Sequence, residues 1–465
     1  MLTSLQRTLA SVRVIVAGDP GFIAVSPGRQ VTAEDLAKFN AQWMQPFERQ
    51  RALDFATSTL QNQDPDGVWG TGERMAAMVR MYELTSATRY LDHLREFIQV
   101  ALKFRDDRPL DGSDTTRPID QIRNRAGVAG WGGSTVESGG LHRVEEIVSS
   151  LYAYPMAAFA RIVAEDPSLQ KKYGKDAIDY ANRVSQTVAF FLPQIRSAQV
   201  GTFIEARLVH PEEYRTRPTE ADCSNAYNEA MKMDPDNVSR WNQQRNDCNL
   251  LREMAGRDMP HNVNLTFSLV LIELSRVLDT KFFQQSPRHS LAAAADRDLI
   301  LRTVIFQQRY FSNRMNPGDL RCPGGTCWHY MENLPPDHDP HAEDLDHGAL
   351  DMSYVDVFFR SYGLINLGAQ RLGQALAVPN VPGFARTFIR ITEGDNFRHD
   401  VVGNDEPPPY VANSRCEGWL TLARADARVY QRCRDATLRI VNGQQPFLNI
   451  GNHSSLLANK QFAPP

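Results

Sequence analysis

The chain has 465 residues, of which 42% are hydrophobic and 23% charged, so it is long enough to bury a large core. Its 51 Lys and Arg residues against 55 Asp and Glu residues give a net charge of -4, which leaves no basic field for a nucleic acid. A mean hydropathy of -0.41, and no apolar run near the roughly 20 residues of a bilayer span, predict no membrane-spanning segment.

The N-terminal segment and the cysteines bear on the cellular compartment. The apolar stretch from Val14 to Ala17 is shorter than the roughly 7 to 15 apolar residues of a secretory signal. The six cysteines fall into three pairs close in sequence: Cys223 with Cys248, Cys322 with Cys327, and Cys416 with Cys433. Such local pairs in polar segments favour disulfides over zinc ligation, and they predict an extracytoplasmic protein, secreted or periplasmic.

Helical periodicity predominates along the chain, so the sequence predicts an all-α fold. The predicted helices fall into five or six successive pairs: Ala33 to Arg49 with Ala52 to Gln61, Arg74 to Leu84 with Tyr90 to Phe104, Val144 to Ala164 with Tyr173 to Phe191, Val263 to Leu278 with Ala293 to Phe311, His347 to Leu372 with Gly383 to Ile391, and a broken segment from Gly418 to Val441.

The first members of several pairs differ in character from their partners. Leu151 to Val163 and Leu265 to Leu278 are apolar around much of their circumference, whereas Tyr90 to Phe104 is amphipathic. An inner ring of helices wrapped by an outer ring explains this alternation, and the unequal hairpins argue against an open solenoid. The sequence therefore predicts an (α/α)6 toroid at 31–445, between an N-terminal extension at 1–30 and a C-terminal tail at 446–465.

Four loops are too long to be simple connectors, and we expect them at the mouth of the toroid cavity. They cover 105–140, 201–261, 316–346 and 393–415.

The most distinctive stretch runs from Cys322 to Tyr354 and holds four of the 11 histidines together with many acidic residues. If a helix begins near residue 343 or 344, Glu343, His347, Asp351 and Tyr354 share one face, because positions four and seven or eight apart align. A carboxylate beside an imidazole forms a proton-transfer group that works near neutral pH. The candidate catalytic residues are Glu343, Asp344, His347, Tyr330 and Asp351.

Two other interpretations of this stretch remain open. In the first, Asp344 and Asp346 cap a helix and His347 hydrogen-bonds within the core. In the second, the stretch binds a structural calcium or zinc ion, although its spacing matches neither an EF-hand loop nor HExxH. The candidate metal ligands are Asp337, Asp339 and His341, joined by Glu343 and His347.

Four tryptophans stand beside glycines at or just before predicted inner helices: Trp69, Trp131, Trp328 and Trp419. Exposed indole faces at a cavity mouth suit sugar rings, which predicts substrate binding. The alternative is that each tryptophan fills a gap between hairpins. Arg123, Arg125 and His261 are further candidate substrate-binding residues.

Short motifs add a family resemblance. Glu83 to Leu91 and Leu278 to Phe282 look like the inter-helix turn TGDxxY of six-hairpin, (α/α)6-toroid carbohydrate-active enzymes, with Ser86 and Ala87 replacing its Gly and Asp. Trp328 to Tyr330 and Glu343 to Gly348 resemble the WxY and EDxxHG segments of some members. The resemblance implies a cavity at the N-terminal ends of the inner helices and catalysis by acids, or by His and Tyr.

The sequence thus predicts an enzyme that cleaves a glycosidic bond by acid/base chemistry, without a required cofactor. An alternative is a polysaccharide lyase or uronate epimerase, with His347 or Tyr330 as base and Arg123 or Arg125 neutralising the substrate acid. Others are a lyase or isomerase of a small non-sugar molecule such as a terpenoid, and a noncatalytic glycan-binding protein. The expected partner is an oligosaccharide or another small cyclic substrate, and the sequence does not predict the oligomeric state.

Overall fold

A computed structural model describes residues 30–62, 65–105, 129–133, 143–144, 146–192, 207–208, 220–233, 235, 238, 242, 260–285, 297–317, 322–329, 343–393, 400–401, 416–438 and 450–463. Helices make up most of these residues, and the strands among them are two residues long, which confirms the all-α prediction. The contacts divide the described chain into an N-terminal unit, within Ala33–Tyr310, and a C-terminal unit, formed by 30–32, Phe311–His329 and the residues from 343 onward.

The N-terminal unit contains nine described helices and most of a tenth. They are α1 (Ala33–Trp43), α2 (Pro46–Asn62), α3 (Pro65–Thr85), α4 (Thr88–Lys103), α5 (Glu146–Glu165), α6 (Pro167–Phe191), α7 (Glu220–Met233), α8 (His261–Leu278), α9 (Lys281–Gln284) and α10 (Arg297–Arg314), whose last four residues belong to the C-terminal unit. Strands β1 (Gly132–Gly133), β2 (Arg143–Val144) and β3 (Arg207–Leu208) form a small antiparallel sheet in the order β1-β2-β3.

Helices α5 and α8 form the core of the N-terminal unit and pack extensively against each other. Nearly every residue of both helices is buried, as their all-round apolar sequences predict. Helix α5 is long and apolar enough to cross a membrane, yet 89% of its most apolar window is buried inside the protein, as in a core helix. Helix α4 buries a single apolar face, which confirms the predicted contrast between enclosed and amphipathic helices.

A buried ion-pair network joins α5 to α8. Arg161 Nε donates to Glu273 Oε2 at 2.6 Å, and the same guanidinium pairs with Glu83 and, at 3.4 Å, with Glu165. Arg276 also binds Glu165, at 2.8 Å. Each buried charge in this network therefore lies against an opposite charge, which is the condition under which buried charges are tolerated.

The C-terminal unit is built from shorter helices. They are α11 (Leu345–Arg360), α12 (Tyr362–Arg371), α13 (Val381–Ile391), α14 (Cys416–Trp419), α15 (Ala427–Leu438) and α16 (Ile450–Ala458), with 3-10 turns at Leu420–Arg424 and Lys460–Phe462. Strands β4 (Asn316–Pro317) and β5 (Thr326–Cys327) pair antiparallel. Helix α14 packs against α11, and α13 packs against β5.

Two of the three predicted cysteine pairs lie within the described residues at disulfide distance. The Cα atoms are 6.1 Å apart in Cys322–Cys327 and 5.6 Å apart in Cys416–Cys433, both in the C-terminal unit. The side chain of Cys223 and all of Cys248 lie outside the described residues.

Some predicted element boundaries differ from the structure, and one predicted break is confirmed. The predicted helix Arg74 to Leu84 begins nine residues earlier, at Pro65, because the glycine-rich segment before it is helical. The predicted break in Gly418 to Val441 is confirmed. The predicted tail at 446–465 instead contains α16, which buries Leu456 and Leu457. The sequence before these two leucines is polar and has no clear apolar periodicity, so it does not predict a helix.

Candidate functional site at the start of α11

Helix α11 begins where the sequence predicts. Asp344 is its N-cap residue: Oδ1 accepts a hydrogen bond from the backbone N–H of His347 at 2.8 Å. Asp346 adds a second carboxylate in the first turn, which the helix dipole favours. The capping role assigned to Asp344 by the alternative interpretation is therefore confirmed, and it does not exclude a chemical role for the same residue.

Asp344 also binds the imidazole of His347. Its second oxygen, Oδ2, is hydrogen-bonded to Nδ1 of the ring, and the two side chains are 27% and 33% exposed. A carboxylate oxygen accepts and does not donate, so Nδ1 carries the proton and Nε2 is left as the ring's proton acceptor. The pair is thus a carboxylate–imidazole dyad, partly open to solvent.

A pair of buried carboxyl groups lies beside this dyad. Glu343 and Asp351 are both 0% exposed, and the indole Nε1–H of Trp328 donates to Asp351 Oδ2 at 2.8 Å. Burial, followed by the charges of Asp351 and Asp344, raises the pKa of Glu343 well above its usual range. Burial also raises the pKa of Asp351, against the opposing effect of the Trp328 hydrogen bond. Both groups therefore favour the protonated form more than ordinary carboxyls do.

Among the described residues, no Lys or Arg side chain pairs with either carboxyl, and the charges that act on the pKa of Glu343 are those of Asp351 and Asp344, both acidic. At Asp356, farther along α11, burial also disfavours the charge, but Arg360 and Arg424, at 2.9 Å and 2.7 Å, lower the pKa below its usual range. Helix α11 thus carries a partly buried ion pair near its end and, among the described residues, a buried acidic pair without a Lys or Arg partner at its start.

The backbone holds this end of the helix in place. The N–H of Glu343 donates to the Trp328 carbonyl at 3.1 Å, and the Glu343 carbonyl accepts from Val401 N–H at 2.9 Å. Trp328 directly follows the Cys322–Cys327 pair. The cysteine loop and residues 400–401 therefore fix the position of Glu343 from both sides. We call Glu343, Asp344, His347 and Asp351, with Trp328, the acidic cluster.

Two glycines permit the close packing behind the acidic cluster. A Cβ atom on Gly348 would lie 2.7 Å from Trp419 Cζ2, and one on Gly418 would lie 1.6 Å from the backbone oxygen of Ala349. Trp419 Nε1–H donates to the Leu345 carbonyl at 2.9 Å. The glycine of the EDxxHG segment is thus required for contact between α11 and the indole of Trp419.

The predicted tryptophan positions need correction. Trp131, Trp328 and Trp419 are all 0% exposed, so none presents an indole face to solvent, and the expectation of exposed rings is wrong for these three. Trp131 donates to the Ala101 carbonyl at 2.8 Å, and Trp69 is half-buried inside α3 rather than before a helix. Placement as gap fillers, the alternative interpretation, describes the three buried tryptophans better.

The remaining predicted residues do not all lie within the described chain. His261 starts α8 in the N-terminal unit, where it is buried with its ring 5.4 Å from that of Tyr310. The predicted residues outside the described chain are Tyr330, Arg123, Arg125, Asp337, Asp339 and His341. Of the five predicted catalytic residues, the structure therefore brings together the four that it describes.

Glu343, Asp344 and His347 also have the composition of a cation site, since one ligand atom from each lies within 4.8 Å of the others. Both oxygens of Asp344 are already engaged by His347, one at the backbone N–H and one at the ring. A cation bound through Nδ1 of His347 would have to replace that dyad bond. The hydrogen bonding therefore favours a proton-transfer site, and we assign no metal to it.

Sequence reasoning missed the contact between Trp328 and Asp351. The residues are 23 positions apart, and the signal that could have indicated the contact is the indole itself, because a buried indole N–H requires an acceptor. No protein-family model, curated protein or solved structure matches this chain. The acidic cluster is therefore interpreted from its own geometry.

Proposed function

We propose that the protein is a carbohydrate-active enzyme that cleaves a glycosidic bond, with the acidic cluster as its proton-transfer site. One observation carries the proposal: a fully buried carboxyl pair, without a Lys or Arg partner among the described residues, lies beside a partly exposed carboxylate–imidazole dyad. Burying uncompensated carboxyls costs several kcal/mol. Such an arrangement is typical of sites where pKa values are tuned for catalysis.

The two halves of the cluster suit the two proton transfers of the reaction. Glycoside cleavage requires an acid that protonates the leaving oxygen and a base or nucleophile on the other side. Glu343, whose pKa burial raises, is better suited to hold and donate a proton than an ordinary carboxyl. His347, with Nδ1 held by Asp344, accepts a proton at Nε2. The substrate class itself rests on the resemblance of the WxY and EDxxHG segments.

The dyad also favours a second candidate, a lyase or epimerase acting on a uronic acid. In that reaction His347 removes the proton next to the substrate carboxylate, and no second carboxylate nucleophile is needed. Deletion of the imidazole would then abolish the reaction, whereas Glu343 would contribute less.

The architecture and the compartment belong to the same proposal. Helix pairs α3–α4 and α5–α6 pack together across connections of two residues and one residue, which is what a hairpin-built toroid requires. The two described cysteine pairs at disulfide distance are compatible with an extracytoplasmic protein.

The test is turnover of a panel of neutral and uronic-acid glycans, read as new reducing ends and as absorbance of an unsaturated product. Wild type is compared with His347→Ala and Glu343→Gln, and Asp346→Asn, in the same helical turn, is the matched control. Reducing ends alone identify hydrolysis; reducing ends with the chromophore identify a lyase. We expect both cluster variants to lose at least about 100-fold in kcat, with the control close to wild type.

Epimerisation leaves neither signal, so the same panel is incubated in heavy water and examined for deuterium uptake into the uronic acid. Turnover that survives both cluster substitutions would overturn the assignment of the site. No turnover and no deuterium uptake across the panel would overturn the carbohydrate assignment.

A further inference from the structure

Most oxygen atoms of the buried carboxyl pair have no hydrogen bond to another described residue. Both oxygens of Glu343 and Oδ1 of Asp351 are buried without a hydrogen-bond partner of good geometry among the described residues. Asp351 Oδ2 has one, the indole N–H of Trp328 at 2.8 Å. An indole N–H only donates, so it stabilises Asp351 most when that carboxyl is the charged acceptor.

One proton shared between Glu343 and Asp351 supplies a hydrogen bond within the pair, and the position of that proton decides which carboxyl carries the charge. If the proton is on Glu343, its O–H donates to Asp351, which then receives hydrogen bonds from both Glu343 and Trp328. If the proton is on Asp351 instead, the charge moves to Glu343, which receives a single hydrogen bond, from the Asp351 O–H, while the Trp328 N–H donates to a neutral carboxyl. A buried carboxylate with one donor is more costly than one with two.

We propose that Trp328 is a positioning residue that holds Asp351 as the carboxylate and thereby places the proton of the pair on Glu343. The inference rests on the proposed function only in naming Glu343 as the acid. The location of the proton is a property of the protein alone and can be measured without a substrate.

The groups around the pair agree with this assignment. Asp344 is the N-cap residue of α11, His347 lies in its first turn, and the backbone of Asp400 forms a bridge with that of Asp344. The charge of Asp344 disfavours a second negative charge in the pair. The order of the pKa effects agrees as well, because the Trp328 hydrogen bond lowers the pKa of Asp351 while the charge of Asp351 raises that of Glu343.

Packing holds the indole in the position that the proposal requires. The Trp328 ring lies 5.3 Å from Phe384, 6.1 Å from Trp419 and 6.2 Å from Phe311, measured between centroids. The carbonyl of Trp328 is bound by the backbone of Glu343 at 3.1 Å. One residue thus contacts both members of the pair, one through its side chain and the other through its backbone.

The experiment is infrared difference spectroscopy of the full chain at neutral pH, reading the C=O stretch of a protonated carboxyl. The difference spectrum of wild type minus Glu343→Gln should contain this band, and the difference spectrum of wild type minus Asp351→Asn should not. In the Trp328→Phe background both differences should contain it, because neither carboxyl is then preferred. The pH at which the pair loses its first proton should rise by about one to two units, the effect of one hydrogen bond to a charged group.

Trp419→Phe is the matched control, since it removes a second buried indole N–H bond, made to the Leu345 carbonyl, and should leave the asymmetry intact. If Trp328→Phe does not fold, benzothienylalanine at position 328 replaces the N–H by sulfur and keeps the ring. A band that Asp351→Asn removes, or an asymmetry that persists without the indole N–H, overturns the proposal. Glycan turnover is read separately, so the two proposals fail independently.

Discussion

Glu273 in the N-terminal unit and Glu343 in the C-terminal unit are both completely buried, but their surroundings differ. Glu273 accepts from Arg161 at 2.6 Å, inside a network that supplies a cation for each buried acid. Among the described residues, the charges that act on Glu343 are acidic. Burial alone therefore does not distinguish the two glutamates, whereas the sign of the neighbouring charge does.

The physical consequence is that the two glutamates should respond oppositely to mutation. Removing the cation of a buried ion pair leaves a buried charge without a partner. Neutralising a buried acid that has no cation partner removes such a charge. We therefore expect the acidic cluster to lower the stability of the folded chain near neutral pH.

The largest effect is expected at the Arg161 network. Arg161→Met should lower the free energy of unfolding by about 3–5 kcal/mol, because Glu273 stays buried with only Arg276, at 4.0 Å, as a cation. Urea unfolding measures the loss. The double variant Arg161→Met with Glu273→Leu should regain most of it, and a double variant as unstable as the single one would contradict the assigned role.

The next effect is a pH dependence at the acidic cluster. Because burial raises the pKa of Glu343, the folded chain retains a proton above about pH 4.5 that the unfolded chain has lost. Stability from this group is therefore lost as pH rises toward the folded pKa, by about 1.4 kcal/mol per pH unit.

Glu343→Gln has no such proton and should flatten that slope in urea unfolding measured from pH 4.5 upward, becoming more stable than wild type near neutral pH. Asp346→Asn, in the first turn of the same helix, should keep the wild-type slope. Parallel curves for wild type and Glu343→Gln would mean that Glu343 is ionised in the folded chain.

A smaller effect is expected from the packing behind the cluster. Gly348→Ala should cost about 1–3 kcal/mol, since its Cβ would meet the Trp419 ring at 2.7 Å. Gly363→Ala in α12 meets nothing within 4 Å and should be neutral or slightly stabilising. Thermal unfolding of the two variants separates the steric effect from general helix propensity.

No effect is expected from metal ions. If Asp344 and His347 bind each other and no metal ion, then EDTA, calcium or zinc should leave the melting temperature unchanged. A bound cation at 100 times its Kd would instead add about 2.7 kcal/mol. A zinc-dependent increase that Glu343→Gln removes would replace the proton-transfer site by a metal site.

The start of α11 could be predicted from the sequence because its signals are local. Asp344 is a strong capping residue, and a four-residue spacing places Glu343, His347 and Asp351 on one stripe whatever surrounds them. The burial of α5 and α8 on all sides could be predicted for the same reason, because apolar residues occupy positions all around each helix.

The burial of Trp328 and Trp419 could not be predicted from the sequence. Their neighbouring glycines are typical both of an open loop and of tight packing, and only the approach of α14 to α11 distinguishes the two. The contact of Trp328 with Asp351, and the acidic charges that act on Glu343, are likewise tertiary facts. Local periodicity carries no information about them.

The six-residue loop closed by Cys322 and Cys327 has a consequence for how the protein should be produced. Trp328 is the next residue after this loop, so the oxidation state of the cysteines bears on the segment that positions the indole. Protein made in a reducing cytosol would hold this segment by hydrogen bonds and packing alone. An oxidising expression compartment is therefore the appropriate source of material for every experiment on the acidic cluster.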